Sequence, residues 1–186
     1  MLFQFKIQLK GVSKPPVWRR ILIPATFDFE RFHFVIQAAF GWENYHLYLF
    51  STSGYGSESY IGVPNDEWFE EDLLDSREVK LSEVFYHEKQ KYTYIYDLGD
   101  DWVHQIVLEK LIDENRIRAE LVAGRGTCPP EDCGGAIGYN RMLDIMEDPD
   151  HPEYDDVCDW LELEEDEFWD ADGFILEEMK QGVSEV

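Results

Sequence analysis

Residues 3–23 read FQFKIQLKGVSKPPVWRRILI. Phe3, Phe5, Ile7 and Leu9 alternate with Gln4, Lys6, Gln8 and Lys10, so an extended chain here has one apolar and one polar face, the period of a half-buried strand. Lys14-Pro15-Pro16 interrupts the pattern, and the β-branched run Val17 to Ile23, closed by Pro24, predicts a second strand beside the first. The period then changes. Phe29, Phe32, His33, Ile36 and Phe40 recur at three and four residues, with Thr26 placed to cap the start and Gly41 to end the run, which predicts an amphipathic helix.

Further strands are predicted at 44–52, 92–96, 102–111 and 116–122, and the Asp113-Glu114-Asn115 turn predicts that the last two pair antiparallel. Residues 53–59 read as a Gly/Ser loop, 64–78 as acidic and irregular, and Ser82 as the cap of one short turn ending at Phe85. The loop 124–138 holds five glycines and two adjacent prolines, and helices are predicted at 139–147, 153–163 and 174–181. Strands early and helices late argue for an α+β fold, a mostly antiparallel sheet with flanking helices. One domain over 1–182 with a short tail at 183–186 is the expected organisation.

Of the 186 residues, 44% are hydrophobic and 15% aromatic, too many large apolar groups for a disordered chain. The net charge of −24 opposes wrapping of nucleic acid or binding to anionic lipid. The most apolar run, FHFVIQAAF, is broken by His33 and Gln37, so no membrane span is expected, and the alternating N-terminus is unlike an export signal. Three cysteines then suggest reduced thiols in the cytoplasm, with a Cys128–Cys133 bridge as the alternative. Residues 1–40 carry +4, whereas 144–172 hold 15 carboxylates and no Lys or Arg. That acidic stretch reads either as a solvated helical face docked through Val157, Trp160 and Leu161 or as a partner-binding, nucleic-acid-mimicking surface.

Two segments carry candidate chemistry. In Asp97-Leu98-Gly99-Asp100-Asp101-Trp102-Val103-His104 a Gly turn precedes a strand on which Trp102 and His104 share a face, and Asp97 or Asp100 could orient the imidazole or complete a metal site. A turn whose aspartates accept backbone N–H bonds is the plainer reading. In Cys128-Pro129-Pro130-Glu131-Asp132-Cys133 two thiols flank two carboxylates in a proline-stiffened loop. Their spacing is at the wide end for zinc and no second cysteine pair exists, so an ordered loop with buried thiols competes with a zinc site completed by His104. Arg19 and Arg20 point to opposite faces of their strand, one expected to pair with the protein's own carboxylates and the other to meet solvent or a partner. Calcium-loop, dinucleotide-binding, deaminase and P-loop patterns are incomplete.

The blocks PPVWRRILIP, QAAFGWENYHLYLF, YIYDLGDDWVHQIVLEK, CPPEDCGGAIGY and HPEYDDVCDWL, in this order, resemble the plasmid pRiA ORF-3-like family over nearly the whole chain. The resemblance implies a single α+β domain with a mostly antiparallel sheet, and a setting among plasmid or mobile-element genes. It carries no reaction. Leu98 stands where the family more often has Phe, a change that removes no ligand.

With no complete catalytic set, the leading expectation is a non-catalytic cytosolic module that binds a protein or small ligand. Its pocket would form where the turn and the cysteine loop meet, with Trp18, Trp42, Trp102 and Tyr139 as walls and Arg19 or Arg20 as contacts. The alternatives are a metal-assisted hydrolase using Asp97, Asp100, His104, Glu131 and Asp132, and nucleic-acid contact through the basic N-terminal hairpin.

Overall fold

A computed structural model describes residues 1–64, 72–164 and 167–186. The alternating segment forms β1 (Leu2–Ser13), which pairs antiparallel with β2 (Pro16–Pro24), and Phe3, Phe5, Ile7 and Leu9 all point into the core. Helix α1 (Phe29–Phe40) follows and buries Phe29, Phe32, Val35, Ile36 and Phe40 against the same face of the sheet. Its cap is Asp28, whose carboxylate accepts from Arg31 N at 2.8 Å, instead of Thr26. Gly41 ends the helix at φ 97°, a left-handed conformation that glycine adopts without penalty.

The middle of the chain supplies β3 (Tyr48–Ser51), β4 (Tyr60–Gly62), β5 (Leu73–Asp75), the short α2 (Leu81–Val84), β6 (Lys91–Tyr96) and β7 (Trp102–Ile112). The last third supplies β8 (Glu120–Arg125), α3 (Gly135–Met146), α4 (Tyr154–Trp160) and α5 (Leu176–Glu185). One eight-stranded sheet runs in the order β5-β4-β3-β6-β7-β1-β2-β8, antiparallel except for β4–β5. The fold is α+β, and its core is dominated by packed rings, with Phe5 4.8 Å from Phe85 and Phe50 4.7 Å from Tyr94 between centroids.

Several expectations are corrected. β8 does not pair with β7. Both edges of β7 are taken, by β6 and β1, so the chain crosses to the free outer edge of the hairpin and pairs with β2. Part of the stretch read as irregular is β5, parallel to β4; residues 65–71 of that stretch lie outside the described residues. Lys80, not Ser82, caps α2, and α3 begins at Gly135, within the expected loop. Residues 183–185, expected as tail, extend α5 and bury Val183. In α4, Val157 and Leu161 pack against the core while Trp160 stays half exposed. All three cysteines are free thiols. Among the described residues no helix is long and apolar enough to cross a membrane.

Arg19 joins the layers. Its guanidinium donates to four carbonyls: Ala39 at 2.7 Å, Trp18 and Arg125 at 2.9 Å, and Gly126 at 3.0 Å. The rings of Phe40 and Phe174 lie 4.9 and 4.1 Å from its central carbon. Burial lowers its pKa only to about 10, so it remains a cation at neutral pH. The expectation that one arginine meets solvent or a partner therefore fails for Arg19: its donors are consumed internally. Arg20, on the other face, pairs with Glu109 at 2.7 Å.

Arg19→Ala strands four carbonyl acceptors and opens a cavity, so it lowers the unfolding free energy by about 3 kcal/mol or more. Arg19→Lys restores the charge without the planar fork and recovers only part of that loss. Urea unfolding of the two variants beside wild type measures both effects.

Candidate functional site

The pairing of β3 with β6 builds the site. Tyr48 lies opposite Tyr96, and one step beyond the strands Asp97 N donates to Leu47 O at 2.9 Å, which brings His46 alongside Asp97. β3 is shorter than the predicted 44–52 because the chain bends at Asn44 (φ 58°), whose side-chain oxygen sits 2.7 Å from His33 Nε2. The other nitrogen of His33 lies 2.8 Å from Tyr94 Oη, so α1, this bend and β6 are tied together by one buried imidazole.

After Tyr96 the chain turns through Asp97, whose Oδ1 accepts from Gly99 N at 2.8 Å. Asp100 reaches the distant cysteine loop, where its Oδ2 accepts from Gly134 N at 3.0 Å. The contact is close. A Cβ on Gly135, which has φ +65°, would stand 2.3 Å from Asp100 O. The same loop returns Glu131, whose Oε1 accepts from Tyr96 Oη and from Glu43 N, both at 2.9 Å. Two segments remote in sequence thus share one seam, closed from a third side by residues 42–46.

At its centre His46 Nε2 lies 3.7 Å from Asp97 Oδ2, 3.9 Å from Glu131 Oε2 and 3.3 Å from Asp132 Oδ1. None of these is oriented as a hydrogen bond, and both His46 Nε2 and Glu131 Oε2 are shut off from solvent without a hydrogen-bond partner. Single ligand atoms of His46, Asp97 and Asp132 all fall within 4.8 Å of one another. The arrangement can hold a cation or offer acceptors to a donor-rich group.

The other expected site residues divide into floor and absentees. Trp42 and Trp102 are buried beneath the seam, 5.2 Å apart, with Trp42 5.3 Å from Tyr96. Trp18 does not wall the seam, because it shares the outward face of β2 with Arg20 and has the ammonium of Lys6 over its ring. Tyr139 is buried and accepts a hydrogen bond from Trp169 Nε1, leaving no surface for a ligand. His104 is fully buried behind Phe40, Trp42 and Tyr94, and among the described residues no carboxylate lies within ion-pair distance of it. It cannot serve the seam as ligand or base from there. Burial pushes the Cys133 thiol up to about 12 and Cys128 well above the usual range, so both are protonated thiols in the metal-free protein at neutral pH. His46 was not singled out in the sequence; its signal was positional, two residues before the strand that pairs with Tyr96.

This is an α+β domain with a histidine–carboxylate cluster at the junction of two loops of its own chain. Residues 1–178 match the family described as plasmid pRiA4b ORF-3-like protein, and the chain belongs to that family. It is 36% identical over 159 residues to an uncharacterized protein, y4hQ, of Sinorhizobium fredii, covering 84% of this chain and 79% of that one. It also resembles the crystal structure of a protein of unknown function, MM3350, from Methanosarcina mazei Go1, with TM-score 0.79 and 33% identity over 95% of this chain and 96% of the other.

Two outcomes follow. Gly135→Ala forces a Cβ into Asp100 O, so it opens the seam and lowers stability by about 2 kcal/mol, readable as faster amide exchange at Gly134. Burial also holds His33 at about 4 and His104 at about 3, against an ordinary 6.5. The unfolded chain takes up these protons first, so stability is intact above pH 6.5 and declines as the pH falls from 6.5 towards 4, by up to about 1.4 kcal/mol per pH unit for each histidine. Denaturant unfolding at pH 7.5, 6 and 5 shows the slope, and His104→Phe makes it shallower.

Proposed function

We propose that the chain is a non-catalytic, cytosolic interaction module that receives a basic-apolar segment of a protein partner at the seam and the groove beside it. The observation that carries this reading is the groove itself, a cavity of about 230 Å³ between α3 and α4 lined by Met142, Ile145, Val157 and Trp160 and flanked by Asp132 and Glu153. It is smaller than the roughly 300–1,000 Å³ of a typical cofactor pocket, and suits one or two apolar side chains. On its rim Glu153 is already paired with Arg141 at 2.7 Å, which leaves Asp132 as the unpaired acid, and the net charge of −24 favours a partner with lysines or arginines. Trp160, half exposed at this edge, has the character of an interface anchor. Support for an enzyme is weaker, since His104 is sealed in the core, and support for nucleic-acid contact is weaker because Arg19 is consumed internally and Arg20 is paired with Glu109.

Affinity capture from the native lysate with wild type, Trp160→Ala and Asp132→Arg tests the reading. Wild type retains a protein partner, and each variant loses it by about tenfold or more. Capture that is absent, or equal for all three, sinks the proposal.

A further inference from the structure

We propose that His46, Asp97, Glu131 and Asp132 form a binding site for one divalent cation of the manganese–zinc kind. Single ligand atoms of His46, Asp97 and Asp132 lie within 4.8 Å of one another, and Glu131 Oε2 stands 3.9 Å from the same imidazole Nε2, so donors from three separated segments gather around that nitrogen at 3.3 to 3.9 Å. Ligand atoms bonded at about 2.0–2.2 Å in tetrahedral geometry stand roughly 3.3–3.6 Å apart, and the imidazole-to-carboxylate separations of 3.3 to 3.9 Å are close to that range. None of them is aligned as a hydrogen bond.

A second observation is independent of the spacing. His46 Nε2 and Glu131 Oε2 are both shielded from water and lack any hydrogen-bond partner, a cost that a protein interior rarely tolerates unless something else satisfies the atoms. A shared cation satisfies both at once. Among the described residues no lysine or arginine lies within ion-pair distance of Asp97, Glu131 or Asp132, so the carboxylates have no other compensating charge there than His46.

The surroundings hold the donors in place. Glu131 keeps its other oxygen on Tyr96 Oη and Glu43 N, and Asp97 keeps its other oxygen on Gly99 N, the pattern by which outer contacts orient metal ligands. Asp132, with its side chain 72% exposed, forms the open side through which an ion enters. One imidazole with three carboxylates suits manganese or zinc better than the softer, thiolate-seeking ions. The site differs from the sulfur site suggested by the cysteine spacing, since neither thiol belongs to it.

The full chain, stripped with chelator and dialysed, is titrated with manganese chloride and zinc chloride by calorimetry, and the free manganese EPR signal is followed in parallel. The expected result is saturable one-to-one binding of at least one ion, weakened about tenfold or more in His46→Ala and in Asp132→Asn. Asp155→Asn, an exposed acid elsewhere, leaves binding unchanged. Asp132→Asn changes an exposed side chain, so its effect is readable even if His46→Ala perturbs folding. No saturable binding, or binding unaffected by both substitutions, overturns the site. Neither result alters the partner-capture test through Trp160.

Discussion

The guanidinium of Arg19 is the constraint on which the rest of the arrangement depends. It gathers carbonyls from β2, the end of α1 and the end of β8, and it lies between the rings of Phe40 and Phe174. Each of those groups would otherwise need its own partner in a region with little access to water. Because β8, α1 and the segment before α5 all converge on this one cation, their relative positions are set together. The edge strand leads directly into the cysteine loop, so the placement of Glu131 and Asp132 is in part a consequence of where Arg19 holds Arg125 and Gly126.

The seam is a second, weaker closure. Its direct bonds are few: Asp100 to Gly134, and Glu131 to Tyr96 and Glu43. Trp42 and Trp102 beneath it supply apolar area but leave their indole nitrogens buried without partners. The seam thus has satisfied edges and an unsatisfied centre, whereas a purely structural junction tends to pair its polar atoms.

Local periodicity made much of the fold legible. The alternation of Phe3, Phe5, Ile7 and Leu9 and the three-and-four spacing from Phe29 to Phe40 survive in β1 and α1 because each is decided by neighbours along the chain. What was illegible is non-local. The partner of β8 depends on which strand edge is free after β1 has taken one side of β7, and no turn at 113–115 encodes that. The carbonyl acceptors of Arg19 could not be read from the sequence because they lie up to 107 residues away. The glycines at 134 and 135 concealed the start of α3, since their role is to admit Asp100 rather than to break a helix. The two segments 97–104 and 128–135 could be marked as candidates by composition, but His46 is a member only through the register of β3 on β6.

The position of β1 has a consequence for how the chain is made. β1 ends up inside the sheet, between β2 and β7, and β7 begins only at Trp102. Until β7 has been synthesised, one flank of the nascent hairpin is an open ladder, and the outer flank waits longer still for β8. Assembly is therefore completed late and from remote parts, which slows folding and leaves a sticky edge exposed in the interval. The lysines and glutamines alternating along β1 keep that edge polar on one side while it waits.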